Sequence, residues 1–60
     1  MMKHIIVAIP KTNGNYRLMS IPAKTKREFE YKLEGVALAL EIDNSDIEIN
    51  SISLQDKWFQ

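Results

Sequence analysis

The sixty-residue chain has one histidine, His4, and no cysteine. Hydrolysis by a Ser-His-Asp triad would need His4 as base beside a hydroxyl presented on a sharp turn. No Gly-x-Ser-x-Gly elbow supplies that hydroxyl. His4 lies in the apolar run Met1–Pro10, so it reads as a residue of a strand face. The run Asp43-Asn44-Ser45-Asp46, with Glu48 after it, concentrates oxygen ligands. A calcium loop of the EF-hand type wants an acid or amide at its fifth position and glycine at its sixth. Here those places hold Ile47 and Glu48, and Asx-type turn chemistry is the better reading. Glu30 and Glu34 stand one turn apart, as on a solvated helix edge. With glycine only at positions 14 and 35, no phosphate-cradling loop is expected. No catalytic, cofactor-binding or metal-ligating residues are expected, and the chain reads as a non-enzyme.

Charge is divided rather than scarce. Residues 1–32 hold seven basic and two acidic side chains, a net of +5, and residues 33–60 hold one basic and six acidic, a net of −5. Lys24, Lys26 and Arg27 gather where a helix should begin, Lys11 lies in a turn, and Arg17 lies on a strand. These five are the candidate set for nucleic-acid contacts, since phosphate is met mainly by such side chains. Tyr16 beside Arg17 could add base stacking. Against this stands the net charge of zero, because nucleic-acid domains usually carry a basic excess. Cations at a helix start also oppose its dipole. The simpler expectation is that the two halves pack together and neutralise each other.

Positioning these groups falls to a small set of elements. A chain of this length buries only about 60% of the surface its unfolded form exposes, and without cysteine it has neither disulfides nor thiolate metal sites to help. Lys3–Ile9 reads as a central strand with apolar residues on both faces. Ile5, Val7 and Ile9 point one way; His4, Ile6 and Ala8 point the other. Pro10–Asn15 contains Asn13-Gly14, a tight-turn signal, and Tyr16–Ile21 alternates as a second strand closed by Pro22. Thr25 and Glu28 have the spacing of a capping box, which predicts a helix over 26–42. Its Phe29, Leu33, Val36 and Leu40 form one apolar stripe. A second stripe, Tyr31, Leu38 and Ile42, falls on roughly the opposite face. An alternative ends the helix at Gly35 and makes Val36–Ile42 a strand, giving ββαββ. The Ala, Leu and Glu content favours the continuous helix. Ile47–Leu54 reads as the last strand, with a slip at Asn50-Ser51 that suggests a bulge. The tail carries Trp58 and Phe59, which either join an interface or fold back to cap an open end of the core.

These elements predict one α+β domain over residues 1–60, of ββαβ type. Its three-stranded, mainly antiparallel sheet has order 2-1-3 and one helix on one face. That order keeps the crossover compatible with right-handedness. The opening apolar run is too short for a signal peptide and no stretch reaches the ~20 apolar residues of a membrane span, so a soluble, cytoplasmic protein with no membrane partner is expected. Tyr31, Leu38, Ile42, Trp58 and Phe59 are the apolar residues least used by one core. They form the candidate protein-interaction set, for another protein, for a second copy as a homodimer, or for both. The expected function is steric: a small regulator or inhibitor binding a larger protein, with nucleic-acid binding as the alternative.

Overall fold

In the computed structural model, which describes residues 1–60, the first strand β1 spans Lys3–Pro10 and the second, β2, spans Tyr16–Ala23. They pair antiparallel without a slip, from Lys3 opposite Ala23 to Pro10 opposite Tyr16. The turn between them closes with Lys11 N–H donating to the Asn15 carbonyl at 2.7 Å and Gly14 N–H to the Lys11 carbonyl at 3.2 Å. Within this turn only Gly14 takes a positive φ, at 86°, and the Asn13 side chain serves the turn by accepting from Asn15 N–H at 3.1 Å.

The helix α1 covers Lys26–Leu40, so the continuous helix is found and the ββαββ alternative is not. Thr25 Oγ1 accepts from Glu28 N–H at 3.1 Å. The reciprocal arm of the box differs from expectation. Glu28 Oε1 reaches past Thr25 to accept from Lys24 N–H at 2.7 Å. The helix stops two residues before the expected end because Glu41 takes the left-handed conformation, φ 57° and ψ 40°. Ile42 N–H then donates to the Ala37 carbonyl at 3.0 Å and Glu41 N–H to the Leu38 carbonyl at 3.2 Å, a Schellman-type ending that turns Ile42 back towards the protein. Gly35, the residue type most suited to that role, is left inside the helix.

The third strand, β3, is only Glu48–Ile49. It pairs antiparallel with β1 through Val7–Ile49 and Ala8–Glu48, completing the sheet order β2-β1-β3. The expected strand to Leu54 is corrected here. Asn50 still donates its N–H to the Ile6 carbonyl at 2.8 Å. Its side chain then accepts from Ile52 N–H at 3.0 Å and bends the chain away. Ser53 follows in a short 3₁₀ turn, Ser53–Gln55, and its Oγ accepts from Ile6 N–H at 2.9 Å. A side-chain hydroxyl therefore stands where a ladder carbonyl would be, and the expected bulge is the end of the strand.

The core lies between the sheet and α1. Ile5, Val7, Ile9, Ile21 and Ala23 from the sheet meet Phe29 and Ala37 from the helix, with Ile47 closing one side. On α1 the inner row runs Phe29, Leu33, Ala37 at a spacing of four, with Val36 beside it. Leu40, expected on this stripe, is half exposed, and the small Ala37 takes the buried place instead. Full burial of a Val, Ile or Phe side chain contributes about 1.5–3 kcal/mol relative to exposure, so this handful of residues dominates the stability. No helix is long and apolar enough to cross a membrane.

Candidate interaction site

The five residues expected to form one apolar interaction set separate into two groups. Tyr31 and Leu38 lie on the outer face of α1, 79% and 73% exposed. Between them, over Gly35, runs a shallow groove of about 280 Å³ bounded by Tyr31, Glu34, Gly35 and Leu38. A Cβ built at Gly35 would meet no atom within 4 Å, and its φ is not in the left-handed region. Neither the space nor the backbone of this chain therefore requires glycine there.

Ile42, Trp58 and Phe59 belong to the other group: all three are half-buried against the core, which corrects the expected place of Ile42 on the outer stripe and is the folded-back arrangement for the tail. Ile42 leaves the outer helix face because the left-handed Glu41 reverses the chain before it. Phe59 meets Phe29 edge to face, with ring centroids 5.7 Å apart. Trp58 lies under Lys3, whose Nζ is 4.9 Å from the ring centroid. The same Nζ donates to both Asp56 carboxylate oxygens, at 2.8 and 2.9 Å, and Asp56 Oδ1 also accepts from Trp58 N–H at 3.0 Å. The hydrogen bond from Lys3, followed by that from Trp58, holds the Asp56 carboxyl below its ordinary range. The tail thus packs along the free side of β1 and closes the core.

The candidate basic set also divides. Lys11 and Arg17 line one open cleft of about 390 Å³ together with Leu40 and Ile42, at the carbonyl end of α1. Cations suit that end of a helix, and α1 has no basic residue of its own in its last turn. Lys24, Lys26 and Arg27 lie at the other end of the molecule. Arg17 and Lys24 are seven strand positions apart, roughly 23 Å at ~3.3 Å per residue. Lys26 Nζ is turned over the Phe59 ring at 6.0 Å. Tyr16 and Arg17, as neighbours on β2, point to opposite faces of the sheet and cannot serve one base together. Of the two ion pairs, Lys3–Asp56 joins the basic and acidic halves, while Lys32–Glu28 lies within the first half.

One apolar surface was absent from the expected set. Tyr16 and Leu18, 55% and 64% exposed, lie on the sheet face away from α1, beside half-buried Ile6 and Ala8. The two-faced apolar pattern of β1 was the available signal, since one helix covers only one side. The outer edge of β2 is closed at one end to a further strand. Pro22 has no N–H to offer, and its carbonyl accepts from Lys32 Nζ at 2.6 Å.

The expected non-ligand role of the acidic run has a positive counterpart. Asp43 Oδ1 accepts from Ser45 N–H at 3.4 Å at the start of the 3₁₀ turn Asn44–Asp46. No three His, Asp or Glu side chains converge as a metal ion would require. His4 is exposed on the open sheet face. Compared with known proteins, the chain matches no protein-family model, no curated sequence and no solved structure, so the case for function rests on these surfaces alone.

Proposed function

We propose that this chain is a non-enzymatic protein-interaction module: a small regulator or inhibitor that acts in the cytoplasm by occupying the surface of a larger protein. The observation that carries the reading is the outer face of α1, where Tyr31 and Leu38 stand exposed on either side of a groove over Gly35. Tyrosine is among the residues enriched where interface energy concentrates, and Leu38 adds apolar area beside it. Full burial of a Leu side chain is worth about 1.5–3 kcal/mol, enough to shift an affinity tenfold or more.

The test compares the native chain with Tyr31→Gln and Leu38→Gln in capture of partners from native extract, with melting curves recorded in parallel. Both substitutions lie on the solvent side of α1, so the fold is expected to survive. Loss of a captured protein with unchanged melting supports the reading. Capture of DNA or RNA that falls steeply with salt, unaffected by either substitution, would overturn it in favour of the basic groups.

A further inference from the structure

We infer that the outer face of α1 docks on the same face of a second copy, the two helices running antiparallel about a two-fold axis beside Gly35. This rests on the interaction surface proposed above; the second copy and the larger protein occupy that face in turn. A two-fold contact is isologous, so one patch must be complementary to itself. Placing Tyr31 against Leu38 of the second copy meets that condition for both anchors at once. The same register brings Gly35 to the axis, opposite Glu34 of the other copy, and sets Arg27 within one residue of Glu41.

Three independent features of this face fit that arrangement. First, glycine inside a helix weakens it relative to alanine, and a Cβ at Gly35 would meet no atom within 4 Å. A close crossing of two helix backbones is a use for a missing side chain. Second, α1 opens with Lys26 and Arg27 and its end carries Glu41 and Asp43. Each of these charges opposes the helix's own macrodipole, which favours anions at the start and cations at the end. Across an antiparallel pair Arg27 and Glu41 become complementary, twice over, and the two dipoles oppose as well; Lys26, turned over Phe59, takes no part. Third, Tyr31 and Leu38 are the most exposed large apolar residues on α1. The face is narrow, so the contact falls in the small, transient class of interfaces, and association is concentration-dependent.

Sedimentation of the purified chain at on the order of 0.01–1 mM, the range of weak complexes, reads the outcome. The mass rises from 7.0 kDa towards twice that value. Leu38→Gln abolishes the rise. Arg27→Glu and Glu41→Lys each weaken it about tenfold alone, and an equimolar mixture of the two restores it, because each mixed pair meets one native and one reversed contact. Gly35→Ala raises the melting temperature of the monomer yet weakens association. Glu34→Gln strengthens it by removing a like charge beside the axis. A chain that stays monomeric, association that survives Leu38→Gln, or a mixture that fails to restore it overturns the inference. Should self-association fail while Leu38→Gln still abolishes capture of a different protein, the docking register falls and the proposed function stands. If Leu38→Gln changes neither, both fall.

Discussion

The two flanks of β1 are held by different means. On one side β2 matches it over eight consecutive pairs, a ladder of backbone groups only. On the other side the ladder lasts two pairs, Asn50 adds one last backbone N–H to the Ile6 carbonyl, and residues 53–59 then take over with side chains. The Ser53 hydroxyl serves Ile6 N–H, Asp56 grips Lys3, and Trp58 and Phe59 fill the edge of the core. A backbone ladder is indifferent to most single substitutions, because any residue except proline supplies the same N–H and carbonyl. A side-chain substitute depends on the identity of each residue. The two flanks should therefore respond unequally to equivalent changes.

The largest expected effect is from Phe59→Ala. A buried Phe→Ala change costs about 3–5 kcal/mol, and Phe59 is half-buried, so about 2–3 kcal/mol is expected. A core of this size rarely supplies more than roughly 3–5 kcal/mol. Denaturant titration should therefore find the variant close to its midpoint without denaturant. Tyr16→Ala on the hairpin flank, by contrast, should leave the midpoint nearly unmoved.

Ile6 gives a closer comparison, because a serine stands on each side of it. Ser20 is its cross-strand partner on β2, and Ser53 accepts its N–H. Ser53→Ala leaves that N–H without its acceptor at a buried site and should cost about 1–3 kcal/mol. Ser20→Ala, on the exposed face, should stay within about 0.5 kcal/mol of the native value. Equal losses in both would show that the hydroxyl on the tail flank adds nothing to the ladder.

The smallest effect is a dependence on pH. The Asp56 carboxyl is held below its ordinary 3.8 by Lys3, so its contribution is fully present above that value. It fades as pH falls through the depressed one. Asp56→Asn keeps an oxygen to accept from Trp58 N–H but loses the charge. Its melting temperature should lie below the native one at about pH 6, with the gap closing towards about pH 2. A gap that stays constant over that range would remove the ion pair from the account of how the tail is held.

The sequence was most legible where backbone geometry governs. The alternation of Ile5, Val7 and Ile9, the Gly14 turn and the Thr25 cap led to the hairpin, the helix and the order 2-1-3. It was least legible where one side chain replaces a backbone partner. Nothing in the alternation of Ile47–Leu54 says that Ser53 will stand in for a carbonyl, or that Asn50 will bend the strand. The helix end was missed for a related reason. Glu41 takes a left-handed conformation that side chains other than Gly and Asn resist, while the glycine that would have marked the stop lies six residues earlier. That one residue removed Ile42 from the expected surface, and packing of the tail removed Trp58 and Phe59. Tyr31 and Leu38 stayed because helical periodicity alone places them.

The bond between Lys3 and Asp56 also carries a consequence for the order of events in folding. It joins residues 53 positions apart, whereas the hairpin closes through a turn of a few residues. Contacts between distant positions form late because their loop entropy must be met first. The hairpin can therefore form while the tail is still free, and until then the Phe29 ring lacks its edge-to-face neighbour. While the tail is open, the chain exposes the apolar surface that Trp58 and Phe59 later cover. During synthesis the hairpin and the helix emerge before Trp58 and Phe59, so the chain passes through that open state before its core is sealed.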